Sequence, residues 1–264
     1  MGHIQGKKIW ITGASSGIGE ALTYRLNELG CFLIISSRRS EALLSVKNNC
    51  KNPEKVSILP LDLAAFNTLS EATERAIAFY GRIDILINNG GISQRSLIKN
   101  TKFEVFKKMI DVNYLGTIKL TKSLLPYFLA EKDGHFVTVT SLMGKFGSPY
   151  RSGYCGAKHA LHGFFDVLRM EHEKDHINVT LVCPGFIQTN VAKNALVGDG
   201  SQQRKQDEAT ANGMSPNECA AKIIKAIEKN KFEVYIGGKE TFGVYLKRFF
   251  PKMLHRVVLK SAVR

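Results

Sequence analysis

Short apolar runs rich in β-branched residues alternate along the chain with longer stretches whose apolar positions recur at helical spacing. The runs are Lys8 to Ile11, Phe32 to Ser36, Val56 to Pro60, Ile83 to Asn88, His135 to Thr140, Asn178 to Cys183 and Phe232 to Ile236. Between them lie Gly17 to Leu29, Asn67 to Phe79, Phe103 to Leu129, Gly153 to His172 and Pro216 to Lys229, each long enough for a crossover helix. Near-continuous apolar strands separated by amphipathic helices predict an α/β fold, with a doubly wound, mostly parallel sheet and helices on both faces. Such sheets bind ligands at the carboxyl ends of their strands, so the residues that follow each run carry the functional argument.

A chain of 264 residues with 44% hydrophobic content can bury one substantial core. We expect one domain over 1–240, including a polar substrate loop over about 190–213, and a basic extension over 241–264. The net charge is +14, of which the last 24 residues supply six positive charges and no negative ones. Net charge alone does not choose among nucleic acid, an anionic membrane and an anionic cofactor as partner. No nucleic-acid recognition module accompanies the charge, so nucleic acid is not expected. Cys31, Cys50, Cys155, Cys183 and Cys219 form no CxxC pair, and their odd number points to a reducing compartment. Lys7 and Lys8 lead straight into the first apolar run, and no window has about 20 uninterrupted apolar residues; a cytoplasmic protein, peripheral on a membrane at most, is expected.

The first run passes into Thr12-Gly13-Ala14-Ser15-Ser16-Gly17-Ile18-Gly19 and then into a helical segment. Glycines there allow a tight turn and close backbone approach, and the helix start offers unpaired N–H groups to a pyrophosphate. Gly13, Ser15, Ser16, Gly17, Ile18 and Gly19 are therefore candidate cofactor contacts in a Rossmann-like cradle. The second run ends in Ser36-Ser37-Arg38-Arg39, with no carboxylate to receive the ribose hydroxyls of NAD. Ser37, Arg38 and Arg39 suit a 2′-phosphate instead, which favours NADPH/NADP+, although either arginine could be a solvated turn charge. Asp62, followed by Leu63, could accept the adenine amino group or cap a turn. Asn89, Gly90 and Gly91, in Asn88-Asn89-Gly90-Gly91, place polar groups and bare backbone beside the adenosine, or simply end a strand.

Across nearly the whole chain these landmarks resemble the short-chain dehydrogenase/reductase family. The family's NNAG element appears with glycine in place of alanine, its asparagine matches Asn113 in Asp111-Val112-Asn113, its serine matches Ser141, and YxxxK matches Tyr154-Cys155-Gly156-Ala157-Lys158. The resemblance implies that Asn113, Ser141, Tyr154 and Lys158 are catalytic, with Tyr154 and Lys158 also touching the cofactor. It implies that Pro184, Gly185, Ile187 and Thr189 lie beside nicotinamide, that Lys158 holds the nicotinamide ribose and lowers the tyrosine pKa, and that Asn113 serves a water-linked proton path. It further suggests a homodimer or tetramer through Phe103 to Leu129 and Gly153 to His172, segments whose apolar residues also suit packing on the sheet.

Residue chemistry agrees with the assignment. Tyr154 and Lys158 stand four apart and share a helix face. A phenol has a pKa near 10, and bringing it to about 7 corresponds to about 4 kcal/mol, within reach of two nearby positive charges in a partly dry cleft. The expected activity is NADPH-dependent reduction of an apolar, lipid-like carbonyl or the reverse alcohol oxidation; an NADP(H)-binding scaffold without turnover is the alternative. Leu142, Met143, Phe146 and Tyr150 could line the substrate pocket or belong to the core.

His172-Glu173-Lys174-Asp175-His176 satisfies HExxH, but it falls at the polar end of a helical segment with no third ligand nearby in sequence, so no metal is expected. In the extension, Tyr245, Phe249, Met253 and Val257 recur every four residues. Leu246, Phe250, Leu254 and Val258 widen that stripe, while Arg248, Lys252, Arg256, Lys260 and Arg264 form a basic one. Pro251 should bend or divide this helix. The pattern suits contact with an anionic membrane surface, packing on the enzyme body, or another partner.

Overall fold

The computed structural model describes residues 4–261; Arg264 of the basic stripe lies outside the described residues. Seven strands form one sheet in which every neighbouring pair is parallel: β1 (Lys8–Thr12), β2 (Phe32–Ser36), β3 (Val56–Ile58), β4 (Ile85–Asn88), β5 (Gly134–Val139), β6 (Ile177–Pro184) and β7 (Glu233–Ile236). Their order is β3-β2-β1-β4-β5-β6-β7, so the winding reverses between β1 and β4 and opens a crevice at their carboxyl ends. The doubly wound α/β architecture is as expected.

Alternation along the strands supplies both cores. Ile9 and Ile11 point to one face, where α1 (Gly17–Glu28), α2 (Ser40–Asn48) and α8 (Pro216–Glu228) bury Leu22, Leu26, Leu43, Ile223 and Ile227. Trp10 points to the other, against α3 (Leu69–Tyr80), α5 (Gly116–Glu131) and α6 (Ser152–Glu171), which contribute Leu69, Leu120, Phe128, Leu161 and Phe165.

Three segments differ from the expected pattern. The single helix expected over Phe103 to Leu129 is α4 (Phe103–Ile110), a π-helical turn over Asp111–Leu115, and α5. The polar segment expected as a substrate loop has structure of its own: α7 (Glu208–Ala211), bridges pairing Leu196 with Gln94 and Gln202, and, just beyond it, a bridge from Met214 to Ile187. In the extension, Pro251 does divide the helix, standing in the first turn of α10 (Pro251–Lys260) just after α9 (Gly243–Phe249). Leu254, with Val244, Leu246 and Val258, packs inward on Leu142, Phe146 and Cys183, and only a glycine at 243 permits this, since a Cβ there would stand 2.9 Å from the Phe146 ring. Leu142 and Phe146 are thus core residues rather than pocket walls. The other apolar row, Tyr245, Phe249, Met253 and Val257, faces outward, and Phe250, expected beside Leu246 and Leu254, is exposed with it because it stands at the break between the two helices. Among the described residues no helix is long and apolar enough to cross a membrane.

Candidate active site

The crevice between β1 and β4 is shaped by close backbone approach. Gly13 and Gly17 adopt φ of 66° and 62°, which favours glycine. A Cβ on Gly13 would meet the Gly90 Cα at 2.7 Å, and one on Gly17 would meet the Thr189 methyl at 2.9 Å. Thr12 Oγ1 accepts the N–H groups of Asn89 and Gly90 at 3.1 and 3.0 Å, while Asn89 Nδ2 donates to the carbonyls of Thr12 and Gly13 at 3.0 and 3.2 Å. These contacts lock the turn after β1 to the turn after β4. Ser16 caps α1 without a side-chain hydrogen bond, and the first-turn N–H groups have no carbonyl available within the helix, so Ser15 to Gly19 form a cradle that fits a pyrophosphate.

At the end of β2, Ser37 Oγ accepts the Arg39 N–H, and the exposed Arg38 and Arg39 form no ion pair among the described residues. Asp62 Oδ1 caps the Ala64 N–H at 3.0 Å, the turn-capping alternative, and its carboxylate stays exposed; Leu63 beside it is buried. A Cβ on Gly90 would meet the Leu63 side chain at 2.9 Å, so Leu63 walls the same crevice.

The second cluster forms at the carboxyl ends of β5 and β6. Ser141 stands two residues past the end of β5; its Oγ accepts the Met143 N–H at 3.1 Å and donates to the Pro184 carbonyl at 3.4 Å. Tyr154 and Lys158 share a face of α6, with Lys158 Nζ 5.8 Å from the centre of the Tyr154 ring. The buried Nζ donates to the Val139 carbonyl at 2.9 Å, and burial pulls its pKa down to about 8. Burial pushes the Tyr154 phenol up, while hydrogen bonding to Ser141 and the positive charges of Arg95 and Arg151 pull it down. Burial prevails, so the phenol lies above its ordinary value, and the positive neighbours that pull it down are two arginines rather than the expected lysine. Asn113 lies in the π-helical turn, where its Oδ1 accepts the Ile92 N–H at 2.9 Å and its Nδ2 donates to the Met109 carbonyl at 3.0 Å. π-helical turns recur at functional sites because they displace a side chain from the regular helical register.

Gly91 joins the two clusters: a Cβ there would lie 2.6 Å from Asn113 Oδ1 and 3.7 Å from Lys158 Nζ. After β6, Gly185 N–H donates to the Ile236 carbonyl, the buried Ile187 pairs with Met214, and Thr189 packs on Gly17, bringing this segment back to the glycine turn. Thr189 Oγ1 also accepts the Val191 N–H at 3.4 Å, the local capping role open to it. The HExxH residues do not share a helix face. α6 ends at Glu171, His172 pairs with Asp175 at 2.8 Å, and His176 has φ of 60°.

Sequence reasoning missed Thr12, Arg95, Arg151, Asp207 and Glu240. Glu240 accepts the Phe186 N–H, and a Cβ on Gly185 would collide with its carboxylate. Thr12 could have been singled out, since a hydroxyl before a glycine turn is a common backbone partner. The others depend on contacts between distant segments.

The comparisons with known proteins agree with this geometry. A family model described as short chain dehydrogenase matches residues 7–198. A dehydrogenase/reductase SDR family protein 7-like of Drosophila melanogaster is 39% identical over 268 residues, covering 99% of this chain and 82% of its own. Dehydrogenase/reductase SDR family member 7 of Homo sapiens is 40% identical over 250 residues, covering 92% and 74%. Among solved structures, a short-chain dehydrogenase/reductase from Burkholderia phymatum in complex with NAD superposes with a TM-score of 0.86 at 19% identity over 96% of both chains. A short-chain dehydrogenase from Streptomyces avermitilis gives 0.82 at 24% identity, covering 96% of this chain and 97% of its own; both likenesses speak to the fold alone. With a parallel sheet, a glycine-shaped crevice at its switch point and a family match over most of its length, the chain belongs to the short-chain dehydrogenase family and is an NAD(P)(H)-dependent oxidoreductase.

Proposed function

We propose that this oxidoreductase uses NADPH to reduce the carbonyl group of an apolar, lipid-like substrate, or with NADP+ runs the reverse oxidation of the alcohol. The observation that carries the reading is the grouping of Tyr154, Ser141 and Lys158 next to Gly91, where the glycine-shaped crevice meets the end of β5. Bound cofactor supplies the hydride for the carbonyl carbon. The chain's residues act on the oxygen. Ser141 orients it by hydrogen bonding, and the Tyr154 hydroxyl donates a proton to it as negative charge develops. In the reverse direction the Tyr154 phenolate takes the alcohol's proton. Lys158 would hold the nicotinamide ribose, and Asn113, fixed in the π-helical turn, would serve a water-linked proton path. Pro184, Gly185, Ile187 and Thr189 would border the nicotinamide, while Asp62, Leu63, Asn89 and Gly90 would border the adenosine.

The preference for NADPH rests on Ser37, Arg38 and Arg39, which offer hydroxyl and guanidinium donors to a 2′-phosphate with no carboxylate at the end of β2 to repel it. Three features favour a lipid-like substrate met at a surface. Phe249 is 69% exposed and Phe250 62%, Met253 and Val257 extend the outward row, and Lys252, Arg256 and Lys260 flank it with no acidic residue after Glu240. Such a face suits shallow burial in an anionic bilayer surface. Exposed Phe103, Tyr127, Val167 and Met170 on α4, α5 and α6 offer an apolar face for a homodimer or tetramer. An NADPH-consumption screen over apolar carbonyls tests the proposal: turnover on at least one is expected. Stoichiometric NADPH binding without turnover on any carbonyl, or on the alcohols with NADP+, would favour the scaffold reading.

A further inference from the structure

The substrate loop is fastened over Tyr154 by a buried cluster that joins three distant parts of the chain. Arg95 Nε and Nη2 both donate to Asp207 Oδ2, at 2.9 and 2.6 Å, and Arg151 Nη2 donates to the same oxygen at 3.1 Å. All three side chains are nearly inaccessible, with 7%, 5% and 2% exposure for Arg95, Arg151 and Asp207. Arg95 belongs to the segment after β4, Arg151 immediately precedes α6 and its Tyr154, and Asp207 ends the long loop just before α7. Each has further support: Arg95 Nη1 donates to Ser93 Oγ and the Gln94 carbonyl, Arg151 Nη1 to Ser148 Oγ and the Pro149 carbonyl, and Gln203 Nε2 to Asp207 Oδ1.

Backbone bonds follow the same path. Arg95 N–H donates to the Leu196 carbonyl and Leu196 N–H to the Ser93 carbonyl, both at 2.8 Å. Leu196 then packs with Ile92, Val105 and Met109 against Tyr154. The cluster holds two cations and one anion, since burial works to raise the Asp207 pKa but the Arg95 and Arg151 guanidiniums keep its carboxyl below the usual carboxylate range. Burial lowers Arg151 only to about 10, so it stays charged at neutral pH. One positive charge is left in excess in a buried site, where it is screened less than a charge at the surface.

We propose that Arg95, Arg151 and Asp207 are positioning residues: an ionic latch that seats the substrate loop on Tyr154 and, through its excess positive charge, sets the pH at which the phenol exchanges its proton. This rests on the reading of Tyr154 as the proton-transfer residue. The groups facing the phenol are few. Ser141 comes from the end of β5, Cys155, Lys158 and Arg151 from α6 and the residue before it, and Arg95 from the segment after β4; α4 and the loop contribute the apolar Val105, Met109 and Leu196. Asp207 opposes the two arginines from the loop side.

The latch and a merely structural cluster differ in sign. Any loosening of the loop changes KM and protease sensitivity in one direction for every variant. The charge effect does not: Arg95→Met removes a positive charge and moves the pH limb of kcat upward by about one pH unit, whereas Asp207→Asn removes a negative one and moves it downward by a similar amount. Arg95→Lys keeps the charge but loses the two-pronged contact, so it should leave the limb in place while raising KM and speeding tryptic cleavage at Lys193, Arg204 or Lys205. The experiment is the pH profile of kcat and KM with a verified carbonyl substrate, together with limited trypsin digestion, for the parent and these variants. Opposite limb shifts with faster cleavage are expected. Limbs that stay fixed or move the same way would overturn the charge effect, and unchanged cleavage in Arg95→Lys and Arg95→Met would overturn the latch, even if Asp207→Asn fails to fold. Tyr154→Phe measured alongside locates any failure: retained turnover overturns the role of Tyr154 itself, and lost turnover with unmoved limbs overturns the charge effect alone.

Discussion

In the cofactor half of the sheet, around β1, β2 and β4, position is set by backbone geometry at strand ends: glycines at positive φ, a threonine hydroxyl and an asparagine amide bonding to neighbouring turns. In the substrate half, around β5, β6 and the loop beyond, position is set by buried charges. The pairs Arg95–Asp207 and Arg151–Asp207 span 112 and 56 residues of sequence. The first arrangement holds no titratable group and at Gly13 and Gly19 admits no added atom; the second answers to charge and pH.

The largest effect should come from adding an atom to the rigid half. A Cβ at Gly19 would stand 2.4 Å from the Gly13 carbonyl oxygen and 2.6 Å from Asn89 Nδ2. Gly19→Ala is therefore expected to cost about 3 kcal/mol, seen as a lower Tm and a weakening of NADPH binding by about a hundredfold. Gly147→Ala, after β5, meets nothing within 4 Å and should leave both unchanged. Equal Tm and affinity for the two variants would erase the contrast between the halves.

Acid should act on the substrate half. His135 on β5 is buried against Thr180 Oγ1 at 2.8 Å, and burial, aided by the charge of Lys7, lowers its pKa to about 4. Its folded pKa lies below the unfolded value of about 6.5, so its contribution is present above pH 6.5 and is lost as pH falls through 4, up to about 3 kcal/mol. Glu233 on β7 extends the loss. Burial would raise its pKa, but His162, Lys145 and Tyr235 hydrogen bonds hold it at about 2, so its contribution disappears between about pH 4.5 and 2. Melting curves from pH 7 to 4 should show this fall, flattened in His135→Gln; an unchanged pH dependence in that variant would remove His135 from the account.

Smaller effects test the cofactor choice and the outer face. Loss of charge-assisted hydrogen bonds in Arg38→Ala should weaken NADPH binding by about tenfold to a hundredfold while leaving NADH nearly unaffected. Equal affinities for the two cofactors in the parent protein would contradict the preference. Replacing Phe249 and Met253 by serine leaves the inward row of α9 and α10 intact and should reduce flotation with anionic liposomes. Equal recovery of parent and variant would assign that face to a protein partner instead.

The strands, the glycine turn and Tyr154 with Lys158 were legible because each rests on periodicity or on spacing within a few residues. Ser141 and Asn113 were legible only through the resemblance, since neither a serine after a strand nor an asparagine in a helix announces itself. The π-helical turn was not visible: Phe103 to Leu129 keeps helical spacing throughout, and the wider turn shows only in the backbone bonds. The order within the polar loop was hidden because its partners, Ser93, Arg95 and Arg151, lie far away in sequence. In the extension both apolar rows were visible, but which of them packs inward depends on Phe146 and Gly243 meeting in space.

The most direct test of the account is single-turnover NADPH oxidation by Tyr154→Phe on a verified carbonyl substrate, with cofactor binding measured on the same preparation. Removing only the hydroxyl should slow hydride transfer about a hundredfold to ten-thousandfold, with cofactor affinity within about threefold of the parent. Unchanged turnover would contradict the assignment of Tyr154 as the group that hands the proton to the substrate oxygen.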